Sequence, residues 1–139
     1  MRAIFDNLET LIVKHGFGAF SRYNMDEMGL STIQKPPKVI SVRGKGTVGT
    51  ITSAERGTNV TAVCAMRAAG HFVAPYFLFP RKNFNLLLTG SPAQSDASAT
   101  ENGWMNSEQF LLWLKHFVLH TKATMGRPVR LILDNHSSH

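Results

Sequence analysis

Cysteine is the scarcest chemistry-bearing residue in this chain of 139 residues, because Cys64 is the only one. A single cysteine excludes an internal disulfide framework and is typical of proteins from a reducing compartment. Cys64 lies within the apolar stretch 60–66, which favours a buried and inert side chain over a catalytic nucleophile.

Long hydrophobic runs are also missing. No apolar segment approaches the roughly 20 residues that span a bilayer, and residues 1–6 lack the apolar region of a signal peptide. We therefore expect a soluble, intracellular protein with no membrane partner.

Acidic residues are few, with 9 Asp and Glu against 15 Lys and Arg, so the formal net charge is +6. A basic balance in a small domain indicates nucleic acid or another polyanion as the partner, or a solvated basic surface without one. Hydrophobic residues make up 43% of the chain, which is typical of a globular protein. We expect one domain over residues 1–139, because this length is short for two cores.

Two segments have helical periodicity. Residues 5–15 predict a packing helix that ends at Gly16. Residues 110–122 predict a second helix, and Asn106 with Gln109 forms a capping-box pattern before it. The expected core face of this second helix contains Phe110, Leu114, Phe117 and Val118, widened by Leu111 and Trp113.

The remaining apolar and β-branched segments predict strands at 19–26, 39–42, 48–52, 60–66, 72–79 and 129–134. Gly29 is expected to break the first strand, and Gly70 to form the turn of an antiparallel hairpin. Pro75 indicates an edge or irregular position. Residues 91–100 are small, polar and aperiodic, so we predict a loop there.

Asp26 and Asp134 each follow a short apolar segment. In open α/β sheets, chemistry lies beyond the carboxyl ends of the strands. The second helix predicts a crossover to a final strand that is parallel to its neighbour. If that neighbour carries Asp26, the two carboxylates are about 5 Å apart. Oxygen ligands of this kind favour Mg²⁺ or Mn²⁺.

Other polar residues are weaker candidates. Glu27 follows Asp26 but faces the opposite side of a strand, and Glu55 fits a turn better than a metal site. His116 and His120 have the i, i+4 spacing of zinc ligands, yet no third ligand is nearby, so packing histidines are the favoured interpretation. Possible phosphate contacts, or simply solvated side chains, are Lys35, Lys38, Arg43, Lys45, Arg81, Lys82 and His136.

These motifs together resemble the pogo/Tigger (Jerky-like) DDE transposases. The similar segments are NMDEMGLST at 24–32, PP at 36–37, TSAERG at 52–57, GWM at 103–105 and LDNHSSH at 133–139. The resemblance implies an α/β, ribonuclease-H-like fold, a nuclear location, and metal-dependent cleavage and strand transfer of DNA. It makes Asp26 the first catalytic acid and Asp134 the second, both metal ligands. In complete relatives a metal-activated water cleaves a phosphodiester, and the freed 3′-hydroxyl attacks target DNA.

The chain also departs from that family. Met28 stands where the family usually has Thr. The family's third catalytic acid lies downstream of its second, so we expect this chain to lack it. We also expect the chain to lack the family's N-terminal DNA-binding region. We therefore expect about the first two-thirds of a catalytic core, with Mg²⁺ or Mn²⁺ bound weakly and no small-molecule cofactor.

Three hypotheses follow for the function. The chain is a DDE endonuclease domain, inactive or weak as it stands; a domesticated, non-catalytic DNA-binding protein; or an inactive transposon remnant. A homo-oligomer, or a partner chain that supplies the missing acid, is compatible with the first.

Overall fold

The computed structural model describes residues 2–31, Arg43, residues 59–80 and residues 88–134. The predicted strands at 39–42 and 48–52 and the predicted turn at Glu55 lie outside the described residues. No helix in the described ranges is both long enough and apolar enough to cross a membrane.

Five strands form one mixed sheet. In chain order they are β1 (Arg22–Ser31), β2 (Asn59–Arg67), β3 (Tyr76–Phe79), β4 (Asp96–Ala99) and β5 (Arg130–Ile132). Their spatial order is β4-β3-β2-β1-β5. The β2 strand runs antiparallel to both β1 and β3, whereas the outer pairs β3–β4 and β1–β5 are parallel.

Helix α2 (Ser107–Thr121) covers one face of this sheet. Trp113 and Phe117 of α2 pack in one cluster with Tyr23, Val63 and other inward residues of β1–β3. The side chain of Asn106 accepts a hydrogen bond from the Gln109 amide at 2.9 Å, which confirms the predicted helix start. Lys122 ends the helix in the left-handed conformation, with φ 55°.

The inward face of α2 is more polar than the sequence predicts. Its buried residues are Gln109, Trp113, His116, Phe117 and Thr121. Val118 and Leu111, which were expected in the core, are 42% and 58% exposed. That part of the prediction is wrong because Gln109, His116 and Thr121 satisfy their polar atoms internally, through Ser98, Ala74 and Phe117 respectively.

The other helix, α1 (Arg2–His15), begins three residues before its predicted start and ends where predicted. Its apolar residues Ile4, Phe5 and Val13 are 69%, 62% and 77% exposed, so the expected packing role is not seen among the described residues. A short 3-10 turn (Ala19–Ser21) then leads into β1, where the sequence predicted strand.

Strand β1 continues past Asp26 and through Gly29 to Ser31, so the predicted break at Gly29 is wrong. The reason is tertiary: β2 pairs with β1 along its full described length, from Tyr23–Arg67 to Ser31–Asn59. Nothing lies within 4 Å of the position that a Cβ would occupy on Gly29. A strand partner therefore outweighs the weak local preference of glycine.

The predicted loop at 91–100 is also partly wrong, because Asp96–Ala99 forms β4. These small residues have little strand propensity of their own. They pair with β3 from Tyr76–Asp96 to Phe79–Ala99, which satisfies backbone groups at that edge. The predicted hairpin is confirmed: Gly70 adopts φ +87° between the antiparallel strands β2 and β3.

Pro75 immediately precedes β3, and the segment 73–75 is irregular. The edge alternative for Pro75 is wrong, because β3 lies between β2 and β4. Taken together, the five-stranded mixed sheet with flanking helices confirms the predicted α/β class and is consistent with a ribonuclease-H-like fold.

Candidate metal and nucleic-acid site

The parallel pairing of β1 with β5 determines where the two candidate acids lie. The paired residues are Arg22–Arg130, Tyr23–Leu131 and Asn24–Ile132. Continued by two residues, this register aligns Asp26 with Asp134. Adjacent strands are about 4.8 Å apart, so this continuation beyond the end of β5 at Ile132 would make the backbone positions of the two acids neighbours.

Both aspartates lie on the sheet face opposite α2. Tyr23, Met25 and Leu131 belong to the core beneath α2. Because successive strand residues alternate between faces, Asp26 and Asp134 point to the other side, and both are exposed. We call this side of the sheet the open face. It also carries Asn24, Met28 and Cys64.

The Asp26 carboxylate is held by its own backbone. Its Oδ1 accepts the Glu27 amide hydrogen at 2.8 Å. Glu27 pairs with Val63, whose side chain is in the core, so Glu27 projects to the covered face and is half-buried. The two carboxylates therefore diverge, as strand alternation predicts, and Glu27 does not join Asp26 on the open face.

Cys64 lies directly across from Asp26 in the β1–β2 pairing. Burial raises the pKa of the Cys64 thiol, and the negative charge of Asp26 raises it further. The thiol therefore stays protonated at neutral pH, which disfavours both nucleophilic attack and metal ligation. The side chain is half-buried rather than fully buried.

The donor set fits a hard divalent cation. Mg²⁺ binds through one or two carboxylates and keeps several waters, and two exposed carboxylates on adjacent strands leave room for those waters. Within the described ranges, no three His, Cys, Asp or Glu side chains form a group that would hold a metal ion. An ion at Asp26 and Asp134 would therefore have only these two carboxylate ligands from the described residues.

The two helix histidines lie elsewhere. His116 is buried on the covered face, where its Nε2 atom lies 2.7 Å from the carbonyl oxygen of Ala74. The Nδ1 atom of His120 lies 2.8 Å from the carbonyl oxygen of His116, and the two rings are 4.2 Å apart. Burial lowers the pKa of His116, although the Ala74 carbonyl opposes this change. These contacts match packing histidines.

Of the predicted phosphate contacts, only Arg43 is among the described residues. Arg43 is exposed in a turn. The others lie outside the described residues, namely Lys35, Lys38, Lys45, Arg81, Lys82 and His136.

Two cations of the open face were missed from the sequence. Arg22 and Arg130 are paired at the start of β1 and β5, on the same face as the aspartates. The sequence does contain one signal: each arginine precedes its aspartate by four residues, an even number, which places the two side chains on the same face of a strand. It becomes informative only once the pairing of the two strands is known.

Two open pockets among the described residues lie away from the aspartates. One cavity of about 510 Å³ adjoins the start of α2, near Asn106 and Glu108, and one of about 500 Å³ adjoins its end, near His120 and Lys122. Neither includes Asp26 or Asp134. The acids lie on a sheet surface, which suits an extended polymer better than an enclosed small molecule.

Comparison with known protein families identifies the family of this chain. Residues 57–139 match the family model of DDE superfamily endonucleases. This match includes Asp134 and begins after Asp26. No curated protein and no solved structure matches the chain. Because the family match spans more than half of its residues, the chain belongs to the DDE superfamily endonucleases.

Proposed function

We propose that this DDE superfamily endonuclease domain derives from a pogo/Tigger-like transposase and acts on DNA at its open face. The observation that carries the proposal is the alignment of Asp26 with Asp134 when the β1–β5 register is continued. In relatives with a complete acid set, the same arrangement supports phosphodiester cleavage and strand transfer. The nucleus is the compartment that this substrate implies.

Asp26 and Asp134 are the residues that would hold Mg²⁺ or Mn²⁺. When bound, such an ion stabilises negative charge on the phosphodiester oxygens and lowers the pKa of a coordinated water. The carboxylates position that charge. Because the Cys64 thiol stays protonated, it does not compete with the carboxylates as a soft metal ligand.

Two features of the site match a polymeric, anionic substrate. Both acids are exposed on the open face, and the chain has a formal net charge of +6. A basic protein attracts DNA over several ångströms before contact. We include Arg43 and the basic residues outside the described ranges among the DNA contacts of this proposal.

Nicking of supercoiled plasmid in Mn²⁺ tests the catalytic part of the proposal. We expect weak nicking by the chain, and a loss on the order of 10²-fold in Asp26→Asn, because one carboxylate that stabilises charge is removed. Asp6→Asn on α1 is the matched control, since Asp6 is exposed and remote from β1 in the chain. Equal nicking by wild type and Asp26→Asn would contradict the catalytic assignment.

Cys64 provides an independent test of metal binding. A cation at Asp26 offsets the charge that raises the pKa of Cys64, so Mg²⁺ should increase the rate at which a maleimide labels the chain's sole thiol at pH 8. Asp26→Asn should label faster without Mg²⁺ and no longer respond to it. If Mg²⁺ leaves the labelling rate of the wild type unchanged, Asp26 does not bind the ion.

A non-catalytic DNA-binding protein is the second candidate. It is favoured by one observation, that no third acid joins the aspartate pair among the described residues. This candidate predicts DNA binding in EDTA with steep salt dependence and no nicking by the wild type. Asp26→Asn would then bind DNA as tightly as the wild type.

A further inference from the structure

Two arginines lie side by side on the open face. Arg22 of β1 and Arg130 of β5 are direct partners in the parallel pairing. Like charges opposite each other on one face of a sheet are destabilising. A pair of this kind therefore needs either a counter-charge or a ligand that offsets the repulsion.

The described contacts of the pair supply no counter-charge. The guanidinium of Arg130 lies 5.1 Å from the centre of the Phe17 ring. The Nε atom of Arg22 is buried and has no hydrogen-bond partner. Among the contacts that the structure describes for these two side chains, none is to a carboxylate. A buried donor without a partner is destabilising.

Arg67 of β2 is an arginine whose donors do have a hydrogen-bond acceptor. Its Nε and Nη2 atoms both donate to the hydroxyl oxygen of Tyr23, at 2.8 and 2.6 Å. Arg67 pairs with Tyr23 and so lies on the covered face. Arg22, by contrast, has a buried Nε atom without such an acceptor.

The spacing relates the arginines to the aspartates. Each aspartate follows its arginine by four residues, and four residues of strand span about 13 Å. The four side chains thus mark the corners of a narrow rectangle on the open face.

We propose that Arg22 and Arg130 form a clamp for one backbone phosphate of the DNA strand whose scissile phosphate lies at Asp26 and Asp134. Guanidinium groups match phosphate oxygens with paired donors, and arginine is preferred where that geometry matters. The bound phosphate offsets the repulsion of the pair by accepting hydrogen bonds from the guanidinium groups. The assignment of the scissile position rests on the proposed function, whereas the phosphate clamp itself requires only DNA binding.

Salt-dependent DNA binding tests the clamp. Fluorescence anisotropy with a 20-base-pair duplex in EDTA gives the slope of log affinity against log salt. Each phosphate contact contributes about 0.9 to that slope, so Arg22→Gln/Arg130→Gln should reduce its magnitude by about 1 and weaken binding about tenfold or more at low salt. Arg22→Lys should keep most of the slope, because it keeps the charge.

Lys115→Gln is the matched control. It removes one positive charge from an exposed position on α2, which packs on the opposite face of the sheet. The clamp predicts a smaller change in the salt slope for Lys115→Gln than for Arg22→Gln alone or Arg130→Gln alone. Equal changes in all three would show a general effect of net charge and would overturn the clamp.

Thermal melting without DNA provides a second measurement that separates ligand binding from a structural role. Tripolyphosphate should raise the Tm of the wild type by a few degrees and leave the double variant unchanged, since a ligand stabilises only the state that binds it. An equal rise in both proteins would overturn the clamp.

The clamp and the proposed function fail separately. If the double variant has the same salt slope as the wild type, the clamp proposal is wrong, even if Mn²⁺-dependent nicking is observed. Absence of nicking removes the catalytic proposal, while the slope and melting results in EDTA still decide whether Arg22 and Arg130 bind phosphate.

Discussion

The two faces of the sheet differ in what they bury. On the covered face, Val63, Leu78 and Trp113 are at most 1% exposed. On the open face, Met28 is 54% exposed and Asp26 and Asp134 are both exposed. Along β1, the residues that face the core stabilise the fold, whereas Asn24, Asp26 and Met28 on the open face are exposed to ligand. Changes to one face should leave the function of the other largely intact.

Two methionines of β1 provide the largest contrast. Met25 is 4% exposed in the core and Met28 is 54% exposed on the open face. We expect Met25→Ala to lower the free energy of unfolding by about 2–5 kcal/mol, because it leaves a cavity. Met28→Ala should change it by less than about 0.5 kcal/mol. Urea unfolding followed by tryptophan fluorescence measures both, and similar losses would abolish the distinction between the faces.

Two amides provide a smaller contrast. Gln109 is buried and accepts a hydrogen bond from Ser98, whereas Asn24 is exposed on the open face. Gln109→Ala should lower the free energy of unfolding by about 1–3 kcal/mol, because it deprives the buried Ser98 hydroxyl of this acceptor. Asn24→Ala should have little effect on the same urea curves.

A double-mutant cycle sharpens this second comparison. Adding Ser98→Ala to Gln109→Ala removes both members of the buried pair, so the combined loss should be smaller than the sum of the single losses. Additive losses would show that the two side chains do not depend on each other.

The smallest expected effect concerns pH and belongs to the covered face. Burial lowers the pKa of His116 in the folded state, with His120 and Asp96 as nearby charges. The unfolded chain therefore binds a proton more readily, and stability falls as pH drops below about 6.5, by at most about 1.4 kcal/mol per pH unit.

Urea midpoints between pH 8 and pH 5.5 measure this dependence. His116→Gln should flatten it, because the titrating group is removed. His71→Gln, at an exposed position of the hairpin, should retain it. A wild-type protein that is equally stable at both ends of this range would contradict the assignment.

Periodicity and capping residues were sufficient to predict α2, β2, β5 and the hairpin at Gly70. In each case the local preference agrees with the final packing. The polar residues buried by α2 were not predictable, since the partners of Gln109 and His116 are Ser98 and Ala74, and neither pairing leaves a periodic signal in the sequence.

The extent of β1 and the existence of β4 depend on strand partners. Gly29 lies in strand because β2 pairs with it, and Asp96–Ala99 is a strand because β3 offers an unpaired edge. Such pairings are long-range, and single-residue propensities contain no information about them.

The candidate site was predictable only in part. Asp26 and Asp134 were identified from their position after apolar segments and from the motifs around them. Arg22 and Arg130 were not, because their juxtaposition requires the register of two strands that are far apart in the chain. Family resemblance directed attention to the acids and provided no signal for the arginines.

The β1–β5 pairing also has a consequence for the order of folding. It joins residues roughly a hundred positions apart through only three residue pairs, so its formation must overcome a large loop-closure entropy with few contacts in return. The strands β1–β4 and helix α2 all precede β5 in the chain. We therefore expect β5 to dock after the rest of the sheet has formed. A folding intermediate can then have a native core beneath α2 while Asp26 still lacks Asp134 beside it.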